Sequence, residues 1–162
     1  MRIAVVADTH SPRRWKQVPP TVARVLDGVD AILHAGDVCL ASTLDELSSY
    51  APVHVVLGNN DLPEVADWGA AETLTLELDA VRIAMVHDSG PSKGRPARMR
   101  RRFPDADIVV FGHSHIPINE EYDGQLLFNP GSPTDRRRQP VATMGELVID
   151  GGRLASARIV PV

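Results

Sequence analysis

Five short apolar runs in this chain each break off at polar groups able to hold an ion, and that repetition constrains the fold more than any other feature. Ile3 to Ala7 stops at Asp8-Thr9-His10, and the run around Ile32 and Leu33 stops at Gly36-Asp37. Val53 to Leu57 ends in Gly58-Asn59-Asn60-Asp61, Val81 to Val86 in His87-Asp88, and Ile108 to Phe111 in Gly112-His113-Ser114-His115. Short, continuously apolar runs read as strands buried on both faces. Open α/β sheets place their chemistry outside the carboxyl ends of strands. Five such ends carrying Asp, Asn or His therefore predict one pooled set of oxygen and imidazole donors.

The order of elements says how those ends come together. Thr21 is read as the N-cap of a helix through Leu26 that ends near Gly28, and Ser42 and Thr43 as caps of a helix in which Leu44, Leu47 and Tyr50 recur at helical spacing. The resulting βαβαβ alternation implies parallel strands with right-handed crossovers. After Asp61 the pattern changes. Leu62 to Ala71 reads as a connector, Leu74 to Leu78 alternates apolar and polar, and Asp79-Ala80 turns that segment directly into Val81 to Val86 as a hairpin. A short helix within Pro91 to Arg102 follows, then extended segments around Ile118, Leu127 and Val148 and from Leu154 to Val160. The reading is an α/β fold in one domain over residues 1–162, with two mixed parallel and antiparallel sheets packed face to face and helices on the outer faces.

Composition excludes several function classes. A net charge of -4 argues against a surface built to hold nucleic acid, and an aromatic content of 4% leaves little for stacking on bases, so no sequence-specific nucleic acid partner is expected. No apolar run approaches the roughly 18 residues of a membrane span, and Cys39 is the only cysteine. A cytoplasmic protein without a membrane partner or internal disulfide is the expectation. Cys39 reads as a small buried hydrophobe, and His34 and His54, inside strands, as packed residues.

Taken together, Asp8-x-His10, Gly36-Asp37, Gly58-Asn59-Asn60-Asp61, His87 and Gly112-His113-Ser114-His115 resemble the calcineurin-like metallophosphoesterase family across essentially the whole chain. Asn129-Pro130-Gly131-Ser132 is similar to the small microbial phosphodiesterases of that family, a group that includes the retromer-type scaffold subunit. The resemblance implies a two-sheet αββα sandwich. It also implies that Asp8, His10, Asp37 and His115 hold one divalent ion and that Asp37 bridges to a second held by Asn59, His87 and His113. Oxygen and nitrogen donors without thiolate suit Mn²⁺, the first choice, and Fe, Ni²⁺, Co²⁺ or Zn²⁺. The implied activity is hydrolysis of phosphate esters, phosphodiesters first, by attack of a metal-bridging hydroxide on a small phosphate-ester substrate such as a nucleotide. The competing class is a non-catalytic protein-binding scaffold of the same fold, which has no reason to keep seven donors.

One position departs from the family pattern, because Asn60 stands where a histidine is usual. An amide can hydrogen-bond a phosphate oxygen but cannot protonate a leaving alkoxide. Asp37 and Asn60 are therefore the catalytic candidates, and Asn59 and Asn60 the residues expected to face the substrate. Asp88 or Asp61 is expected to fix an imidazole ring from behind. The basic runs Lys93 to Arg102 and Arg136 to Arg138 read as solvated surfaces that would favour polyanions if they flank the donors. Trp15 is expected over a pocket rim, and Trp15 or Trp68 as a contact in a homo-oligomer.

Overall fold

In the computed structural model, which describes residues 1–162, the first third follows the expected alternation. Strands β1 (Arg2–Val6), β2 (Ala31–His34) and β3 (Val53–Val55) lie parallel, joined by helices α1 (Pro20–Leu26) and α2 (Ala41–Ser48). Their apolar character on both faces has the expected cause. Ile3, Val5 and Leu33 enter the core between the sheets, whereas Ala4, Val6 and Ile32 pack beneath α1 and α2 with Val22, Leu26 and Leu47.

The Asp79-Ala80 turn joins β4 (Thr73–Leu78) to β5 (Val81–Val86) as an antiparallel hairpin, with both turn residues left-handed as a two-residue connection requires. Helix α4 (Arg95–Arg102) then carries the chain over to β6 (Ile108–Val110), parallel to β5; β7 (Ile118–Tyr122) and β8 (Gln125–Asn129) complete that sheet in the order β4-β5-β6-β8-β7. The last hairpin, β9 (Thr143–Asp150) and β10 (Arg153–Pro161), returns to the first sheet, where β9 runs antiparallel to β1 and gives the order β10-β9-β1-β2-β3. Gly145 of β9 makes room for Phe128 of the facing sheet, whose ring lies 2.3 Å from where a Cβ would stand. Two five-stranded mixed sheets with few helices form the two-sheet sandwich that was expected.

Local details differ from the sequence reading. Helix α1 starts at Pro20 behind Pro19, so Thr21 caps nothing; proline at the first turn presets the helical φ instead. Helix α2 starts behind Leu40, which places Ser42 and Thr43 inside it, where the Thr43 hydroxyl donates to Ser11 Oγ at 2.7 Å. The connector contains a further helix, α3 (Pro63–Asp67). Trp15 is only 2% exposed and its indole N–H donates to Glu46 at 2.9 Å, so it is a core residue rather than a pocket rim or a contact surface.

Candidate metal centre

The ends of β1, β2, β3, β5 and β6 reach one edge of the sandwich, and three backbone hydrogen bonds lock their loops together: Asp8 N–H to Gly36, His10 N–H to Asp37 and Gly112 N–H to His87, each at 3.0 Å. Asp8, His10, Asp37, Cys39, His113 and His115 all take left-handed backbone conformations, with φ between 50 and 73°. Each costs on the order of 1 kcal/mol or more and persists only where the surroundings enforce it. Two glycines make the crowding tolerable. Gly36 has φ +88° and lies against the His87 ring, and a Cβ on Gly58 would stand 2.2 Å from Asp37.

The expected donors fall into two touching groups. In the first, His115 Nε2 lies 3.4 Å from Asp8 Oδ1 and 3.3 Å from His10 Nε2. In the second, His87 Nε2 lies 3.2 Å from Asn59 Oδ1, which is 3.0 Å from His113 Nδ1. Asp37 stands between them, its Oδ2 at 3.7 Å from His10 Nε2 and 3.4 Å from His87 Nε2. All seven expected donors thus share one site, whose floor is buried and whose Asn59 and His113 face solvent.

Electrostatics of the cluster suit a cation. Both carboxylate oxygens of Asp8 are buried without a hydrogen-bond partner, and burial pushes its pKa up to about 7. His115 donates its Nδ1–H to the Asp135 carbonyl at 2.5 Å and His87 donates its own to the Ala35 carbonyl at 2.7 Å, which turns both Nε2 lone pairs into the site. Burial lowers the pKa of His10 and His115 and so keeps those rings neutral. Burial would lower His87 as well, but its bonds to Asp37 and the Ala35 carbonyl and the charges of Asp37 and Asp8 together push it up. Burial would raise Asp37 too, yet His87 and the two N–H groups of Asn60 hold it well below the usual carboxylate range. Imidazole nitrogens, a carboxylate oxygen and an amide oxygen converging at 3.2 to 3.4 Å form a donor set that fits a divalent ion.

Several supporting groups were not those expected. The ring of His87 is fixed by the Ala35 carbonyl rather than by Asp88 or Asp61; Asp88 instead accepts from Gly90 N–H. Asp61 is a staple, accepting from Gly58 and Cys39 at 2.6 Å and from Asp37 at 3.2 Å, a role its position three residues after Gly58 could have signalled. Cys39 is half-buried with its thiol pushed up to about 11 by burial, and its sulfur lies 3.9 Å from His10 Nδ1. His34 is fully buried against Thr9, and His54 is half-buried in β3; both pack within their strands. Asn60 gives its backbone N–H and one amide N–H to Asp37, at 2.8 and 2.6 Å. A cleft of about 310 Å³ opens beside Asn59, His87 and His113, with Glu72, Asp88 and Arg102 on its walls. A larger one, about 660 Å³, lies at the opposite end of the sandwich around Arg82, Asp107 and Arg153, away from these donors.

Known proteins share this architecture. A probable metallophosphoesterase of Methanothermobacter thermautotrophicus is 34% identical over 156 residues, covering 95% of this chain and 89% of that protein. Another, from Methanocaldococcus jannaschii, is 30% identical and covers 100% of this chain and 82% of its own length. Among solved structures, Entamoeba histolytica Vps29 complexed with zinc superposes with a TM-score of 0.79 at 27% identity, covering 100% of this chain and 98% of that one. An archaeal phosphodiesterase shares the fold, with a TM-score of 0.73 at 20% identity and 100% of both chains covered. Residues 1–152 match the calcineurin-like phosphoesterase superfamily domain, and with the donors gathered at its strand ends this chain belongs to that superfamily.

Proposed function

We propose that the chain is a metal-dependent phosphoesterase acting on phosphodiesters. In this reading Asp8, His10, Asp37 and His115 hold one divalent ion, and Asp37, Asn59, His87 and His113 a second, with Mn²⁺ the preferred metal. The observation that carries it is the buried Asp8 carboxyl group, neither of whose oxygens has a hydrogen-bond partner, since burying a charge without a counter-ion is among the costliest arrangements in a fold. When bound, two such ions acidify water and neutralise phosphate oxygens. The chain's own groups do the rest. The Ala35 and Asp135 carbonyls aim His87 and His115, Asn60 anchors Asp37, and its second amide N–H, which has no protein partner, is free for a phosphate oxygen. The lone free thiol of Cys39 fits work in a reducing cytoplasm.

The likeness to Vps29 supports a second reading, a protein-binding scaffold, and because that protein is itself complexed with zinc, metal binding alone does not separate the two. Turnover does. Chelated protein should be inactive on bis(p-nitrophenyl) phosphate, and Mn²⁺ should restore it. Asp37→Asn removes the charge between the two groups, so metal content should drop and turnover fall by about three orders of magnitude with the fold intact by circular dichroism, the several kcal/mol that Lewis-acid stabilisation supplies. No turnover above a metal-only control with Mn²⁺, Fe²⁺, Ni²⁺, Co²⁺ or Zn²⁺ would make the scaffold the better reading.

A further inference from the structure

Two donors of the first group, Asp8 and His10, flank a residue that holds no ion in the reading above. Thr9 is fully buried, and its hydroxyl lies 3.1 Å from Nε2 of His34, which is fully buried as well. As a packing residue His34 is a poor choice. Only Nε2 finds a partner, and Nδ1 is buried without one. A buried polar atom left without a hydrogen bond is destabilising, so packing alone would favour the apolar type that fills the rest of β2 at Ala31, Ile32 and Leu33. The bond to Thr9 is what a histidine supplies here and a leucine cannot.

That bond completes the fastening of Asp8-Thr9-His10. Asp8 N–H donates to the Gly36 carbonyl and His10 N–H to that of Asp37, each at 3.0 Å, while Ser132 Oγ donates to the Asp8 carbonyl at 2.8 Å and Thr134 Oγ1 to the Thr9 carbonyl at 2.9 Å. All four act on the main chain of the segment. The His34 contact acts on the Thr9 side chain and so fixes the residue between two donors whose backbones, at φ 55 and 50°, are left-handed and persist only where they are held. The next residue of the chain serves the second group by a separate bond, the Ala35 carbonyl accepting from His87 Nδ1–H at 2.7 Å.

Resting on the two-ion reading of the site, we infer that His34 and Thr9 form a positioning pair for the first ion. Their buried hydrogen bond holds Asp8 and His10 in the geometry that this ion needs. The second ion, whose His87 is aimed by the Ala35 carbonyl, does not depend on it.

Calorimetric titration of chelator-treated protein with Mn²⁺ tests the pair. His10→Ala and Asn59→Ala, each lacking one donor, identify which binding step belongs to which group. Thr9→Val keeps the shape of the side chain but loses the hydroxyl, and it should weaken the first-ion step about tenfold while leaving the second unchanged. Thr9→Ser, which retains the hydroxyl, should stay near wild type. His34→Leu should match Thr9→Val, and the double variant should bind no more weakly than either single one. Turnover of bis(p-nitrophenyl) phosphate by Thr9→Val should fall at limiting Mn²⁺ and return at saturating Mn²⁺. A role in the fold alone would instead lower the Tm of metal-free Thr9→Val with both Mn²⁺ steps unchanged, and that result overturns the pair. Equal weakening of both steps, a Thr9→Ser as weak as Thr9→Val, or additive losses in the double variant would overturn it too. If His34→Leu does not fold, Thr9→Val against Thr9→Ser decides. A wild type that binds Mn²⁺ without turnover refutes the phosphoesterase reading and leaves the affinity test standing; one that binds no Mn²⁺ refutes both.

Discussion

At the scale of single residues, the site depends on where protons can and cannot sit. Asn60 occupies the place where the family pattern puts histidine, and an amide has no proton to give to a leaving alkoxide. An aryl oxide leaves without help, whereas an alkoxide does not. General acid catalysis is typically worth about 10² to 10⁴ in rate, so kcat/KM should depend steeply on leaving-group pKa across an aryl-to-alkyl diester series. Asn60→His should flatten that slope by raising the slow rates. A shallow slope in the native protein would show that another group already donates the proton. That polar side chains would gather at one edge was legible in the sequence, because glycines and strand ends mark them. The carbonyls of Ala35 and Asp135 that aim the imidazoles were not, since any residue can offer a main-chain carbonyl and its type carries no signal.

Among the elements, β2 shows what burial on both faces demands. Its last residue, His34, is fully buried beside Thr9, and burial lowers its pKa to about 3 from an ordinary 6.5. The unfolded chain takes up a proton below pH 6.5 that the folded chain refuses. The stability that depends on neutral His34 is therefore complete above pH 6.5 and lost as pH falls toward 3, at up to about 1.4 kcal/mol per pH unit. Denaturant unfolding at several pH values should show a wild-type stability that declines in this window and a shallower decline in His34→Gln. Parallel curves would mean that His34 titrates normally. Strand positions were read well because continuous apolar runs leave little choice. Helix starts were read less well: Thr21, Ser42 and Thr43 are all good cap residues, but proline at the start of α1 and the Thr43 bond to Ser11 set the boundaries.

For the whole molecule, the site belongs to neither sheet alone. Asp8, Asp37 and Asn59 follow strands of one sheet, and His87, His113 and His115 follow strands of the other, so a bound ion would tie the two layers together. No helix is long and apolar enough to cross a membrane. An ion that binds only the folded state stabilises it by RT ln(1 + [L]/Kd), about 2.7 kcal/mol at a hundred times Kd. Scanning calorimetry should show Tm rising with Mn²⁺ concentration and falling with chelator, with the rise largely absent in Asp37→Asn; a Tm indifferent to metal would argue that no ion bridges the sheets. The sequence by itself determined the strands, the polar groups at their ends and the parallel first half, because burial and turn chemistry act locally and leave a pattern in residue order. Packing between layers decided that the last hairpin returns to β1, that Gly145 admits Phe128 of the facing sheet, and that Ser132 and Thr134 fasten their loop to the carbonyls of Asp8 and Thr9. Those outcomes rest on contacts between segments far apart in the chain, and such contacts are chosen by packing between whole layers rather than by the residues of either segment alone.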